Sequence, residues 1–433
     1  MSKVDLEYTL DDKYLLDEGK VFLSGTQALV KLPLIQKKVD ELNGLNTAGF
    51  ISGYPGSPLG GYDHALHQAS SFLKKNEIVF QPGINEDLAA TALHGSQQTT
   101  LVENPKYDGV FGLWFGKGPG VDRSGDALKH GNYAGSSKHG GVLALAGDDH
   151  SAKSSTTAHQ SDHAFIHFGM PILNPATVQD YIDFGLMGIA MSRYSGCWVG
   201  MKCITDTVES AASVDIGFDR FNPKLPEKTL EDEDLHLQWG YIPALSESRL
   251  YQKRLPAAQA FAKLNSLDKV IFQGERKLAI VTSGKAYLDV RQALDELGLD
   301  EATCIKIGVS LYKVGMVWPL EPDNIIDFVN GNDEVLVIEE KRSIVEDQLM
   351  KYLFNYDKRP LVIGKKDENG KYLIPSEGEL SPSSLSLIIA NRIQKLSLDI
   401  DLSQRIQEID NLISNINSAP VSDLFRLPSF CAG

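Results

Sequence analysis

Continuous apolar runs that alternate with helical patterns constrain the fold of this chain more than any other feature. Residues 109–115 (Gly-Val-Phe-Gly-Leu-Trp-Phe) and 141–146 (Gly-Val-Leu-Ala-Leu-Ala) lack the polar alternation of a strand with one solvated face. Such strands are covered on both sides, which is typical of parallel sheets. Helical patterns at residues 26–42 and 177–192 separate runs of this kind. The sequence therefore predicts an α/β fold, a mostly parallel sheet with helices on both faces.

A second unit of the same type follows. Residues 278–284 predict a strand that ends in a turn, residues 286–297 a helix, and residues 303–307 and 334–339 two further strands. The 433 residues are too many for one hydrophobic core, because single cores stop growing at roughly 250–300 residues. Prolines and the acidic run 231–234 predict a connector. We expect two doubly wound domains, 1–220 and 246–395, with a linker at 221–245 and a C-terminal helix and junction at 396–433.

Composition excludes several classes of protein. The net charge of −15 disfavours a nucleic-acid partner, because phosphates repel an acidic surface. No run approaches the ~20 apolar residues of a membrane span, and the N-terminus lacks the apolar core of a signal peptide. A cytoplasmic location is the expectation. The four cysteines form no C-x-x-C pair, so we expect buried reduced thiols and neither a zinc site nor an iron–sulfur cluster.

The turn that begins at Gly53 is the first candidate cofactor site. It reads Gly53-Tyr54-Pro55-Gly56-Ser57-Pro58 and lacks both the G-x-G-x-x-G order of a dinucleotide site and the lysine of a P-loop. In a functional interpretation, Ser57 bonds the carboxylate or ketone oxygen of a substrate. In the alternative interpretation, the turn only connects a strand to a helix and Ser57 caps that helix.

Glu86 is the candidate catalytic residue. It opens a predicted helix at 86–98, with Asn85 as N-cap, and a carboxylate there is favoured by about 0.3–1 kcal/mol through the helix macrodipole alone. The helix also carries small residues at 89, 90, 92 and 95, which would let a flat ring approach closely. Thiamine diphosphate has such a ring, and its pyrimidine nitrogen is protonated by a carboxylic acid whose pKa burial would raise. Both interpretations stay open.

Three further groups of residues were candidates. Residues 116–123 predict a flexible loop after a strand, where Lys117 and Arg123 are the nearest cations for an acidic substrate; the solvated interpretation suits Lys117 better than Arg123. Nine of the ten histidines lie between His64 and His167, without the H-E-x-x-H spacing of a zinc site, and their role stays open. The Gly-Asp-Asp sequence at 147–149 differs from the G-D-G turn that holds Mg²⁺-diphosphate in thiamine enzymes, so we expect no metal site there.

These stretches carry a family likeness. The chain resembles the N-terminal part of indolepyruvate ferredoxin oxidoreductase, in the 2-oxoacid:ferredoxin oxidoreductase superfamily. The likeness rests on Tyr-Pro-Gly-Ser-Pro at 54–58 in place of the family's Tyr-Pro-x-Thr-Pro, on residues 85–95, and on residues 141–150. Residues 280–284 and Trp-Pro-Leu at 318–320 resemble the transketolase C-terminal-like domain of the same enzymes.

The resemblance implies a thiamine-diphosphate pyrimidine-binding domain at 1–220 and a transketolase C-terminal-like domain at 246–395. By this resemblance Glu86 would activate the pyrimidine and Ser57 would lie near the bound 2-oxoacid. From their positions in the sequence, we also expect residues 53–56 to contact the cofactor and Arg123 to contact the substrate. The implied reaction is oxidative decarboxylation of an aryl pyruvate, with electrons passed to ferredoxin and the acyl group to coenzyme A.

The same resemblance implies missing partners. Mg²⁺ and iron–sulfur clusters are expected on a diphosphate-binding part, and residues 426–433 resemble the family's junction to it. We therefore expect a split or truncated enzyme that is inactive alone and works as a homo- or hetero-oligomer. The alternative is a non-catalytic assembly or binding module that retains the pyrimidine-domain fold.

Overall fold

A computed structural model describes residues 8–227, 235–238, 240 and 242–418. The chain forms two compact units. The first contains the chain up to Asp149 together with Ser161–Asn265, and the second contains His150–Gln160 together with the chain from Ser266 onward. The first unit thus extends beyond the linker expected at 221–245, while the acidic run 231–234 and the junction at 426–433 lie outside the described residues.

The first unit alternates strands and helices. Its strands are β1 (Lys20–Ser24), β2 (Thr47–Gly53), β3 (Ile78–Phe80), β4 (Gly109–Lys117), β5 (Val142–Asp148), β6 (Ile172–Leu173), β7 (Val199–Ile204) and β8 (Ala211–Asp215). Its helices are α1 (Asp12–Leu15), α2 (Gly25–Leu42), α3 (Gly60–Gln68), α4 (Ser70–Lys75), α5 (Glu86–Gln97), α6 (Gly118–Arg123), α7 (Gly125–Ala134), α8 (Asp162–Phe168), α9 (Val178–Ser195), α10 (Thr205–Val208), α11 (Pro243–Arg249) and α12 (Leu255–Leu264).

A parallel sheet forms the centre of this unit. Its strands run in the order β6-β7-β5-β4-β2-β3, and each of these pairings is parallel. Strands β4 and β5 are buried along their whole length, as their apolar runs predict. Strands β1 and β8 form a separate antiparallel pair. The predicted α/β class is confirmed.

Helices cover both faces of this sheet. A Cβ on Gly112 of β4 would lie 2.5 Å from Leu93 of α5, and a Cβ on Gly188 of α9 would lie 2.8 Å from Leu143 of β5. Gly112 pairs with Val142, so Leu143, the next residue, points to the opposite face. Helices α5 and α9 therefore lie on opposite faces. The close approach at both glycines brings each helix down onto the strands.

Arg254 holds the end of the first unit in place. The guanidinium is fully buried and donates to the backbone oxygens of Leu235, Asn132, Tyr133 and Ala134, at distances from 2.6 to 3.1 Å. Three of these carbonyls lie at the C-terminus of α7, where no helical N–H is available to satisfy them. Burial lowers the pKa of Arg254 to about 10. This contact links the chain just before α12 to the body of the first unit.

The second unit is built on a smaller, five-stranded mixed sheet. The strands of this unit are β9 (Lys269–Phe272), β10 (Leu278–Ser283), β11 (Val309–Val314), β12 (Met316–Trp318), β13 (Glu334–Ile338) and β14 (Leu361–Ile363), and all of them except β12 belong to that sheet. Its helices are α13 (Gly284–Glu296), α14 (Glu301–Lys306), α15 (Pro322–Val329), α16 (Val345–Leu353), α17 (Pro382–Lys395) and α18 (Ser403–Ser418). The order is β14-β13-β10-β11-β9, parallel except for β9.

One sequence-based expectation in this unit is wrong. Residues 303–307 were expected to form a strand, but they lie in and just after α14, and the next strand begins at Val309. Asp300 caps this helix, because its carboxylate accepts from the Thr303 N–H at 2.8 Å. Cys304 is the buried residue of this helix. The cap signal outweighs the strand propensity of the β-branched residues.

Two of the predictions from composition can be compared with the described chain. Cys197, Cys203 and Cys304 are free and buried, as expected, and Cys431 lies outside the described residues. Burial raises the pKa of Cys197 to about 11 and that of Cys304 to about 12. None of the described helices combines the length and the apolar composition that crossing a bilayer requires.

Candidate active site

The carboxyl ends of β2, β4 and β5 meet at one edge of the first unit's sheet. Gly53 pairs with Phe115, and Lys117 pairs with Gly147, so the three strands end side by side. The N–H of Gly83 donates to the oxygen of Gly53 at 2.9 Å, which brings the chain before α5 to the same edge. The turn at 53–58 and Glu86, far apart in sequence, therefore lie close together. This edge of a parallel sheet is where α/β proteins commonly bind ligands.

Glu86 is the first residue of α5, as expected. The Asn85 side chain caps the helix by accepting from the Leu88 N–H at 2.9 Å. The indole N–H of Trp114 donates to the backbone oxygen of Glu86 at 2.9 Å and fixes this residue against β4. Glu86 is 5% exposed, yet its carboxylate has no hydrogen bond or ion pair with any described residue. Its oxygens are not among the enclosed side-chain atoms of the described residues that lack a partner, so the carboxyl group keeps contact with solvent although the residue as a whole is buried.

Two glycines make room for this carboxyl group. A Cβ on Gly120 of α6 would lie 2.6 Å from Glu86 Oε1, and a Cβ on Gly116 of β4 would lie 3.3 Å from Glu86 Cγ. Any side chain at Gly120 would thus push the carboxyl group away from its present position. The acid is packed into a cradle that only glycine permits.

The small residues of α5 have a different role from the one expected. Ala89 and Ala90 are buried. A Cβ on Gly83 would lie only 2.9 Å from Cβ of Ala89, so the two residues pack closely. Ala92 and Gly95 are exposed. The four residues therefore do not line one common surface for a ring. The two alanines serve the packing of the helix against its own unit.

The turn after β2 is held tightly at the same edge. A Cβ on Gly53 would lie 2.2 Å from the backbone oxygen of Phe115, and the Tyr54 N–H donates to that oxygen at 3.1 Å. A Cβ on Gly56 would lie 2.8 Å from Cδ of Lys117. Pro55 is exposed. Glycine is therefore required at positions 53 and 56 by close approach, and not by backbone conformation.

Ser57 is half-buried in this turn. The residue that precedes α3 is Leu59, and no side chain caps that helix. The helix-cap interpretation of Ser57 is therefore wrong. Its hydroxyl group has no hydrogen bond to another described residue, so it stays available to a ligand.

Lys117 and Arg123 differ from the expectation. Residues 118–123 form α6 and not a flexible loop, with proline near the start of the helix, a position that proline favours. Arg123 is the exposed cation, and its Nε donates to Asp87 Oδ1 at 3.1 Å. Lys117, expected to be the more solvated of the two, is only 6% exposed. It ends β4, and its alkyl chain packs against Gly56.

The Gly-Asp-Asp sequence belongs to a buried ion network. Asp148 accepts from the N–H and the hydroxyl of Ser161, at 2.8 and 2.5 Å. Lys202 Nζ lies 2.7 Å from Asp162 and 3.9 Å from Asp148. Burial raises the pKa of Asp148, and the Lys202 ammonium opposes that shift. The sequence did not predict this network, because its members come from β5, β7 and α8.

The histidine-rich region does not form a metal centre among the residues that the structure describes, where no group of three or more His, Cys, Asp or Glu side chains could hold an ion. His163 and His167 lie on α8, whereas His159 precedes that helix, as the Gly/Ser/Thr-rich neighbours suggested. Burial lowers the pKa of His94. The histidines are spread over several elements of the fold.

Comparisons with known proteins agree with the likeness read from the sequence. A family model described as an indolepyruvate oxidoreductase domain matches residues 268–416. Indolepyruvate oxidoreductase subunit IorA of Methanothermobacter marburgensis is 25% identical over 355 residues, which is 79% of this chain and 50% of the relative. The IorA subunit of Pyrococcus horikoshii is 24% identical over 429 residues, 95% of this chain and 57% of the relative. The chain thus spans about half the length of the curated relatives it matches.

The fold is also found among solved structures. One of them is a 2-oxoglutarate:ferredoxin oxidoreductase from Magnetococcus marinus with 2-oxoglutarate, coenzyme A and succinyl-CoA bound. The TM-score is 0.61, the sequence identity is 15%, and the alignment covers 87% of this chain and 66% of that chain. The predicted resemblance is confirmed.

Proposed function

Because this chain is an indolepyruvate oxidoreductase IorA-like protein of the 2-oxoacid:ferredoxin oxidoreductase superfamily, we propose that it supplies the pyrimidine-activating half of a thiamine-diphosphate site. The assembled enzyme would oxidatively decarboxylate an indolepyruvate-type 2-oxoacid to an acyl-CoA, with ferredoxin as electron acceptor. Diphosphate, Mg²⁺ and the iron–sulfur clusters would be held by another part of that enzyme. The chain alone would not turn over.

Glu86 carries this proposal, because the residue is buried while its carboxyl group keeps contact with solvent. Its position at the start of α5 is fixed by Asn85 and Trp114, and its side chain has no partner among the described residues. Such an acid is organised before a ligand arrives and is free to share a proton with one. In this role Glu86 would hold a proton between its carboxyl group and the ring nitrogen of the pyrimidine. When bound, thiamine diphosphate supplies the carbon nucleophile that attacks the 2-oxoacid.

The neighbouring residues support that acid. Gly53 and Gly56 pack directly against β4, which holds the turn close to the sheet. A cofactor would then lie across the turn. Tyr54 and Pro55 would contact the ring, and the Ser57 hydroxyl would bond an oxygen of the 2-oxoacid. Arg123 would act at the mouth of the site, where it is exposed and already paired with Asp87.

Titration with thiamine diphosphate and Mg²⁺ tests the proposal. Calorimetry would be run on this chain alone, on a polypeptide that carries the superfamily's diphosphate-binding region alone, and on their mixture. We expect strong binding only in the mixture, together with turnover of indolepyruvate, coenzyme A and ferredoxin. Robust turnover by this chain alone would contradict the shared site. No binding in any of the three would favour the non-catalytic assembly module.

The variant Glu86→Gln separates the acid from its packing. Glutamine keeps the shape of the side chain but cannot donate a titratable proton, so we expect a rate lower by about 10²–10⁴ in the assembled enzyme. Glu103→Gln is the matched control, because it makes the same change at an exposed glutamate outside the proposed site. An unchanged rate for Glu86→Gln would remove this residue from the mechanism.

A further inference from the structure

A cavity of about 330 Å³ lies at the edge of the first unit's sheet that is opposite to Glu86. On one side it is bordered by Asp40, which accepts from the hydroxyl of Thr47, the first residue of β2, at 2.6 Å. On another side it is bordered by Arg193, whose Nε donates at 2.9 Å to the oxygen of Gly140, just before β5. The amino ends of parallel strands therefore surround this cavity, whereas the candidate active site lies at their carboxyl ends. Its volume is within the range of about 300–1,000 Å³ that is usual for small-molecule sites.

The wall of the cavity is mostly apolar. Side chains from α2, from α9 and from the chain that follows β8 contribute to it, among them Val39, Leu45, Tyr194, Phe221, Pro223 and Leu225. Two of these side chains are aromatic rings, and an aromatic ligand can pack against such rings face to face or edge to face. The shape and the composition of the wall therefore favour a compact ring system over a strongly hydrated molecule.

The charges at this wall do not favour an ionic ligand. Arg193 donates to both carboxylate oxygens of Asp40, at 2.6 and 2.7 Å, so these two charges neutralise each other. Burial, together with Arg193 and Lys138, lowers the pKa of His139, so its imidazole is neutral at pH 7. Lys138 itself is exposed to solvent. A neutral ligand is therefore a better match than an anion or a cation.

Gln36 supplies one polar atom that lacks a partner at this wall. The residue borders the cavity and is 2% exposed, and its Nε2 donates to Asp40 Oδ1 at 2.8 Å. Its Oε1 is enclosed and accepts no hydrogen bond from the described residues. A reversed amide would turn Oε1 toward the Asp40 carboxylate, where two acceptors would repel each other, so the orientation is fixed. An enclosed acceptor without a donor is costly, and a ligand that carries a donor would remove that cost.

We propose that this cavity binds a neutral aromatic molecule that carries one hydrogen-bond donor, such as a phenol. The donor bonds Gln36 Oε1, and the ring packs against Tyr194 and Phe221. The last torsion of a glutamine side chain is soft, so Oε1 can turn toward the ligand while Nε2 stays near Asp40. The site is separate from the candidate active site and requires neither thiamine diphosphate nor a partner chain.

The first experiment compares two ligands on the wild-type chain. The full chain would be labelled with ¹⁵N in its glutamine side chains, and the Gln36 amide signals would be assigned by their loss in Gln36→Leu. We expect 4-methylphenol to shift these signals saturably. The matched ligand 4-methylanisole has the same ring without a donor, and we expect it to bind about 2–10-fold more weakly, the range for one neutral hydrogen bond. The affinities are measured on the wild type, so they stand even if the variant fails to fold.

The second experiment fills the cavity. Ala190 borders the cavity and lies in α9, so Ala190→Leu occupies part of the space with a residue that suits a helix. We expect this variant to bind 4-methylphenol about tenfold more weakly or worse, because the added atoms and the ligand compete for the same volume. Ala302→Leu is the matched control, since it makes the same change at an exposed position of α14, and its affinity should equal that of the wild type.

Three results would overturn the inference. Gln36 signals that do not respond to 4-methylphenol would show that this cavity does not take the ligand. Equal affinities for 4-methylphenol and 4-methylanisole would show that no donor is recognised. An Ala190→Leu variant that unfolds at the wild-type temperature and binds 4-methylphenol as tightly as Ala302→Leu would show that the ligand binds elsewhere.

Discussion

Replacing Gly120 with alanine tests whether the glycine cradle positions Glu86 for chemistry. A Cβ at this position would lie 2.6 Å from Glu86 Oε1, 2.7 Å from Cγ and 2.9 Å from Cδ. Ordinary contact begins near 3.4 Å, so the carboxyl oxygen must move by about 0.8 Å (3.4 − 2.6). The contacted atoms belong to the end of one flexible side chain, which can rotate away at small cost.

The consequences for stability and for activity therefore separate. Alanine is favoured over glycine in a helix by about 0.8–1 kcal/mol, which offsets much of the local rearrangement. We expect the free energy of unfolding to change by less than about 1 kcal/mol. A displacement near 1 Å of a catalytic group costs about 10²-fold in rate. We expect a loss of that size in the assembled enzyme, with thermal unfolding close to that of the wild type.

Gly95→Ala provides the matched control. Gly95 lies in α5, and a Cβ there would meet no atom within 4 Å. This variant gains the same helix propensity without touching Glu86, so its rate should stay at the wild-type value. The reasoning is refuted if Gly120→Ala keeps full activity. It is also refuted if Gly120→Ala unfolds several degrees earlier than Gly95→Ala, since Glu86 would then be locked by its surroundings and unable to rotate.

Further predictions concern stability. Arg254→Met leaves backbone carbonyls of α7 and the Leu235 oxygen buried without a donor, so urea unfolding should show a loss of about 3 kcal/mol or more. Burial raises the pKa of Asp268 to about 6 from an ordinary value of 3.8, so its contribution to folding is present below pH 3.8 and is lost as the pH rises through 6. Relative to Asp268→Asn, the wild type should therefore lose about 3 kcal/mol between pH 3.8 and pH 6, and equal pH slopes in urea unfolding would contradict this. Gly53→Ala would place a Cβ 2.2 Å from a backbone oxygen that cannot rotate away, so this variant should unfold at a clearly lower temperature, whereas Gly60→Ala, with no atom within 4 Å, should not.

The fold class and the central acid could be predicted from local patterns. The apolar runs at 109–115 and 141–146 are β4 and β5, and the Asn85 cap with Glu86 opens α5. Each of these signals lies within about ten residues of sequence. The periodicity of side chains and the chemistry of a helix cap are local, so they can be read without a structure.

Most of the structure that the sequence did not predict depends on residues that are distant along the chain. The chain around 254 joins the first unit through carbonyls near residue 133, a contact that no local pattern reveals. The relative burial of Lys117 and Arg123 was inverted, because it depends on Gly56 and Asp87. The strand expected at 303–307 failed for a local reason. The Asp300 side chain caps a helix there, and this cap outweighs the strand propensity of the residues that follow.

The path of residues 150–160 affects how the protein can be dissected. This segment groups with the second unit, where the Lys341 ammonium donates to the His150 oxygen at 2.8 Å and Gln160 exchanges two hydrogen bonds with the Arg342 backbone. The backbone therefore passes from one unit to the other at 149/150, 160/161 and 265/266. A single cut, by a protease or at the level of the gene, leaves at least one unit without a native segment. If the second unit is produced alone, from residue 266 onward, it lacks residues 150–160. It would need that segment as an added peptide or as a fused one before it could be expected to fold with all of its own contacts.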